Sequence, residues 1–150
     1  MRRLTPDRPP GCAATACALI HRVLAIKPID AIPPSSLLLG SVFLASKIHE
    51  FQARIRDMVN VWHWLLSKTR RLPYNPMAAT LDFFYSTKDD IINGELAVLT
   101  ALGFNVNIDL PYPFMLSYLQ ALDLSDDPQI AQLAWNYVTD MYVSFWLCLL

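Results

Sequence analysis

Charge is scarce in this 150-residue chain: Asp, Glu, Lys and Arg make up 17% of it, and the formal net charge is −1. Such near-neutrality argues against a protein that binds nucleic acid by neutralising phosphates. Cysteine is scarce too. Cys12, Cys17 and Cys148 are odd in number, and the first two stand five apart on a predicted helix, which suits neither a CxxC metal knuckle nor a disulfide framework. They read as reduced, largely buried thiols of a cytosolic or nuclear protein. His21, His49 and His63 have no ligand spacing to one another or to the cysteines, so no metal site is expected. A glycine-rich phosphate loop, a nucleophile elbow and a cluster of paired carboxylates are all missing, which leaves no catalytic residue and no cofactor to expect. The apolar stretch over 141–150 falls short of the roughly twenty residues that span a bilayer. The opening Met-Arg-Arg-Leu-Thr-Pro has no signal-like apolar core behind it, which points away from secretion.

What the chain has in quantity is apolar side chains, 54% of the total, enough for one ordinary domain with a sizeable core. Pro6, Pro9 and Pro10 mark residues 1–10 as a loose arm. From Gly11 to Ile26 the spacing predicts a helix with Ala16, Leu19, Ile20, Val23 and Leu24 on one side, ended by Pro28. Pro33-Pro34 starts a second, from Ser35 to Phe51, apolar at Leu37, Leu38, Leu44, Ala45 and Ile48. Its remaining stripe is mixed: Ser36, Gly40, Phe43, Lys47 and Glu50, which reads either as a docking edge or as plain surface. A third helix, Arg54 to Ser67, repeats Ile55, Met58, Val59, Trp62, Leu65 and Leu66 at core spacing. The basic run Lys68-Thr-Arg-Arg71 follows, a solvated loop by default and otherwise a nuclear-import or acidic-surface contact. One short helix is expected after Asn75, then a longer one from Lys88 to Leu102, stopped by Gly103. Beyond a proline-ended linker over 105–112, Pro113 to Leu122 reads as a helix. Asp127-Pro128 caps a last one, with Ile130, Leu133, Ala134, Tyr137, Val138, Met141 and Phe145 inward. No segment alternates with period two, so the expected fold is all-α.

Two ionisable residues stand where the apolar pattern would not put them. Glu95 shares a helical face with Ile91, Ile92, Val98, Leu99 and Leu102. A lone carboxylate there costs roughly several kcal/mol unless paired. Lys47 is one candidate partner; Arg54 and Arg56 are others. Lys47 could instead pair with Glu50 three residues on, which is worth only about tenths of a kcal/mol.

Leu44-Ala-Ser-Lys-Ile-His-Glu50 resembles the third-helix motif of the cyclin box, and Glu95 falls where that family places its fifth-helix glutamate. Arg54-Ile-Arg-Asp-Met-Val-Asn-Val61 resembles the start of the fourth helix in transcription-class cyclins, closest to cyclin L. Leu110-Pro-Tyr-Pro-Phe-Met-Leu-Ser-Tyr-Leu-Gln-Ala-Leu122 and Gln132-Leu-Ala-Trp-Asn-Tyr-Val-Thr-Asp140 resemble the first two helices of a second box. The resemblance implies an N-terminal cyclin box over 11–104 that lacks its first helix, then a partial second box over 113–150. It further implies a non-enzymatic nuclear subunit that binds and activates a cyclin-dependent serine/threonine kinase in RNA polymerase II transcription or pre-mRNA splicing. Lys47, Glu95, Phe43, Gly40 and Leu39 would meet the kinase, with no metal, cofactor, membrane or nucleic-acid partner. The alternatives are a cyclin-derived fragment without kinase activation and a nucleic-acid-binding fold like the general transcription factor built of paired cyclin boxes.

Overall fold

A helix that is apolar over most of its surface has to be covered on more than one side, and the helix over Pro34–Ile48 packs between two others. In the computed structural model, which describes residues 11–51, 53–71 and 81–142, this helix is the centre of a bundle. The described residues form α1 (Gly11–Ile26), α2 (Pro34–Ile48), α3 (Ile55–Thr69), α4 (Leu81–Ala101), α5 (Tyr112–Ala121) and α6 (Pro128–Met141), with one 3-10 turn at Ile29–Ala31 and no strand. The protein is all-α, as its periodicity predicts. The arm over 1–10, the short helix after Asn75 up to residue 80, and Phe145 lie outside the described residues.

Two apolar clusters meet on α2. Ala16, Leu19 and Val23 of α1 join Leu37, Leu44 and Ala45 of α2 and Val98 and Leu102 at the end of α4. On the other flank Leu39 joins Val59 of α3 and Ile91 of α4, with Phe43, Ile55, Met58, Trp62, Phe83 and Phe84 packed around them. Fully burying one such aliphatic side chain contributes about 1.5–3 kcal/mol. Thr15 Oγ1 and His49 Nε2 share a 2.8 Å hydrogen bond that ties α1 to the end of α2. The Arg22 guanidinium donates to the Asn107 carbonyl at 3.1 Å, and Val106 and Ile108 pack on the first cluster. The connection after α4 is thus held against α1.

The helices stop by a common device. After α2, the Glu50 and Phe51 amides donate back to the Lys47 and Ser46 carbonyls, and Glu50 takes the left-handed conformation at φ 54°. Gly103 and Asp123 hold the same position after α4 and α5. Only Gly103 is a glycine, which explains why α2 ends three residues short of the expected Phe51. A left-handed Glu carries no sequence signal.

Other expectations need correcting. α4 begins at Leu81, seven residues ahead of Lys88. The stretch Leu81-Asp-Phe-Phe-Tyr-Ser-Thr87 contains no breaker, and Phe83 and Phe84 have α3 to pack against, including an edge-on contact between Phe83 and His63. Leu38, Ile48, Leu65 and Ile92 are exposed rather than inward. α6 has no buried residue, and Leu133, Tyr137 and Met141 are exposed. Among the described residues α6 packs mainly on α5, chiefly through Trp135 stacked on buried Tyr112 at 4.6 Å. One neighbour cannot cover both sides of an apolar stripe.

Candidate functional site

Backbone approaches backbone closely where α2 crosses α4. A methyl group built on Gly40 would overlap the Gly94–Glu95 peptide, and one built on Gly94 would overlap the Ser36 carbonyl. Two glycines, one on each helix, let the backbones touch. The stripe Ser36, Gly40, Phe43 and Lys47, which reads as surface or docking edge in the sequence, is therefore largely the seam against α4. Ser36 is buried on it and donates to Asp90 Oδ1 at 2.9 Å. Sequence reasoning gave no sign of that bond, because a Ser and an Asp 54 residues apart announce nothing.

At the other end of the seam stands the pair that the pattern does suggest. Lys47 Nζ donates to Glu95 Oε1 at 2.6 Å and to Oε2 at 2.8 Å. Glu95 thus pairs with Lys47 rather than with Arg54 or Arg56, and Lys47 reaches across the helices instead of along its own to Glu50. The Lys47 ammonium also lies 4.4 Å from the centre of the Phe43 ring, whose face attracts it. The Lys47 side chain is 53% exposed and that of Glu95 14%, so the pair sits at the mouth of the seam with its lysine toward solvent. A pair this wet contributes at most about 1 kcal/mol. Its geometric role is larger: the seam fixes where both groups point. An ammonium has three donors, and the two bonds to Glu95 leave at least one for another acceptor.

The five sequence-predicted site residues thus divide. Lys47, Glu95 and half-buried Phe43 come together at the surface. Gly40 lies beneath α4 and Leu39 in the second cluster, both buried, so they set the floor of the site. Apolar surface comes instead from Ile92 and Leu96, the exposed neighbours of Glu95 on α4. The signal was present in Ile92, which shares the Glu95 face; an all-apolar stripe was read as wholly buried. Among the described residues no His, Cys, Asp or Glu grouping could hold a metal ion, and no helix is long and apolar enough to cross a membrane.

The family model described as "Cyclin, N-terminal domain" matches residues 8–107. Cyclin-L1 of Homo sapiens is 33% identical over 132 residues, covering 88% of this chain and 25% of that protein. Cyclin-L1 of Xenopus laevis is 35% identical over 133 residues, covering 88% and 26%. Cyclin-L2 of Mus musculus is 35% identical over 143 residues, covering 91% and 27%. The chain spans about a quarter of the length of the curated relatives it matches.

Proposed function

The chain belongs to the cyclin family, and on that premise we propose that it binds a cyclin-dependent kinase through the mouth of the α2–α4 seam and biases it toward its active form. A kinase of this class works only when the glutamate of its αC helix pairs with the lysine that holds the ATP phosphates. A cyclin does no chemistry; it supplies binding free energy that favours the arrangement with αC turned inward. In this reading Lys47 offers its spare donor to backbone carbonyls at the end of the kinase helix. Glu95 holds Lys47 in place and accepts from kinase amides with its remaining lone pairs. Phe43, Ile92 and Leu96 give the apolar contact, and Gly40 and Leu39 act from below by fixing the two helices.

The observation that carries the proposal is the Lys47–Glu95 clasp itself. It is rigidly positioned, half open to solvent and bordered by exposed apolar side chains, which is more than a surface ion pair needs for stability. The similarity to cyclins L supports a kinase of the transcription or splicing class, and with it a nuclear location. The test is co-purification of the tagged chain with an endogenous cyclin-dependent kinase, beside Lys47→Ala and Glu95→Gln. Both variants should keep the helical circular-dichroism spectrum, since the two apolar clusters that hold α2 are untouched, and both should lose capture. Undiminished capture by both folded variants, or none by the folded parent, would refute it.

A further inference from the structure

The outward side of α3 has no role in the site above. Ile55, Met58, Val59 and Trp62 turn toward the second cluster. Along the opposite side Asp57, Val61, Trp64, Leu65 and Lys68 fall on one helical stripe, all exposed. Val61, Trp64 and Leu65 are 50%, 42% and 40% exposed and adjoin one another within about one turn. Scattered apolar side chains on a surface need no explanation, whereas a contiguous set does. At the C-terminal end stand Lys68, Arg70 and Arg71, also exposed, with the Lys68 ammonium 5.0 Å from the centre of the Trp64 ring. Cations at a helix C-terminus offset its carbonyls, which accounts for the basic run but not for the apolar strip beside it.

We propose that this stripe is a docking site for a short acidic–apolar peptide segment of a partner protein, its apolar side chains against Val61, Trp64 and Leu65 and its carboxylates beside Lys68, Arg70 and Arg71. Charge sets both the partner and its direction. The three cations have no carboxylate of α3 near them, while at the far end Asp57 offsets part of the charge of Arg54 and Arg56, so an acidic tail belongs at the C-terminal end. The same charges disfavour nucleic acid, which needs cations tracking a backbone along the whole groove; here no Lys or Arg stands between Asp57 and Lys68, and Asp57 itself lies on the stripe.

The test is fluorescence anisotropy with a short labelled peptide carrying two leucines one turn apart followed by a run of glutamates, titrated with the full 150-residue chain. Binding should weaken on the order of tenfold when Lys68 and Arg71 are both changed to Glu, and similarly for Trp64→Ala. It should weaken again as salt rises from about 0.05 to 0.5 M. These side chains are exposed and outside the Lys47–Glu95 clasp, so the variants should keep their helicity and their kinase capture. The inference is overturned if the folded parent does not bind, if a lysine-tailed peptide binds equally well, or if single-stranded RNA competes as strongly as unlabelled peptide. It is also overturned if the chain self-associates through Trp64 with no peptide binding.

Discussion

Replacing Gly94 by Ala tests the seam and the clasp together. In an open helix the change is favourable, by about 1 kcal/mol of propensity. Here the added methyl meets the Ser36 carbonyl, and behind it the Ser36 carbonyl carbon at 2.6 Å. The obstacle is backbone and cannot rotate away, so the two helices must part along the seam. One extra methyl forced into a packed interior costs typically 1–3 kcal/mol, occasionally more, and a backbone obstacle belongs at or above the top of that range. Net of propensity we expect a loss of about 2 kcal/mol. For a chain of this length that is a fall in Tm of about 4–8 °C, read by circular dichroism, with a matching drop in the urea midpoint at unchanged m. Gly40→Ala should behave alike. The double variant should lose less than the sum, because the first methyl already separates the backbones. Gly103→Ala is the contrast: nothing lies within 4 Å of its added methyl, and only its φ of +57° opposes the change, a loss of about 1 kcal/mol that is additive with the others. If Gly94→Ala is as stable as the parent or more so, α2 and α4 do not touch there, and the placement of Lys47 against Glu95 loses its foundation.

Three further outcomes rest on separate features. Glu50→Gly removes a side chain from a left-handed position at φ 54° and should raise stability by about 0.5–1 kcal/mol in the same urea titration; a loss would mean that Glu50 has a contact the α2 terminus does not reveal. Asp127 accepts from the Gln129 amide at 2.9 Å and the Ile130 amide at 3.4 Å, so Asp127→Ala should cost about 1 kcal/mol and speed amide exchange in α6 before α2, because α6 buries no residue and leans mainly on α5. Burial pushes the Cys17 thiol up from its ordinary pKa, so at pH 8 less of it is thiolate than in an exposed cysteine. Its alkylation by iodoacetamide, followed by mass spectrometry, should be slower than in the urea-unfolded chain and should accelerate as pH rises; equal rates in both states would show that the site is not desolvated.

How much of this was legible depended on whether the cause was local. Periodicity placed α1 to the residue, because Pro28 bounds it and Leu19 and Val23 recur on one side. The same logic placed Val59 and Ile91 inside. It failed wherever burial depended on a neighbour elsewhere in the chain. Leu65 and Ile92 sit on apolar stripes wider than the helix packed against them, so one edge of each stripe stays wet. The same holds for Leu133 and Tyr137 on α6, which among the described residues packs mainly on α5. The α2 end falls short of Phe51 because left-handed Glu50 stops it where no glycine announces the turn.

The mixed character of the stripe Ser36, Gly40, Phe43 and Lys47 also has its cause in a distant part of the chain, since α4 crosses it, and the crossing explains why the site can exist. Where α2 crosses α4, polar and small residues of the one helix meet those of the other. Ser36 meets Asp90, Gly40 meets Gly94, and Lys47 meets Glu95. The offset is 54 residues for each of the first two pairs and 48 for the third, a difference that the long Lys47 and Glu95 side chains span. The ammonium stays open to solvent while the carboxylate is mostly covered. A structural bridge and a contact surface are therefore one object here: the glycine contact makes the crossing tight, and the exposed ammonium keeps a donor beyond its two bonds to Glu95.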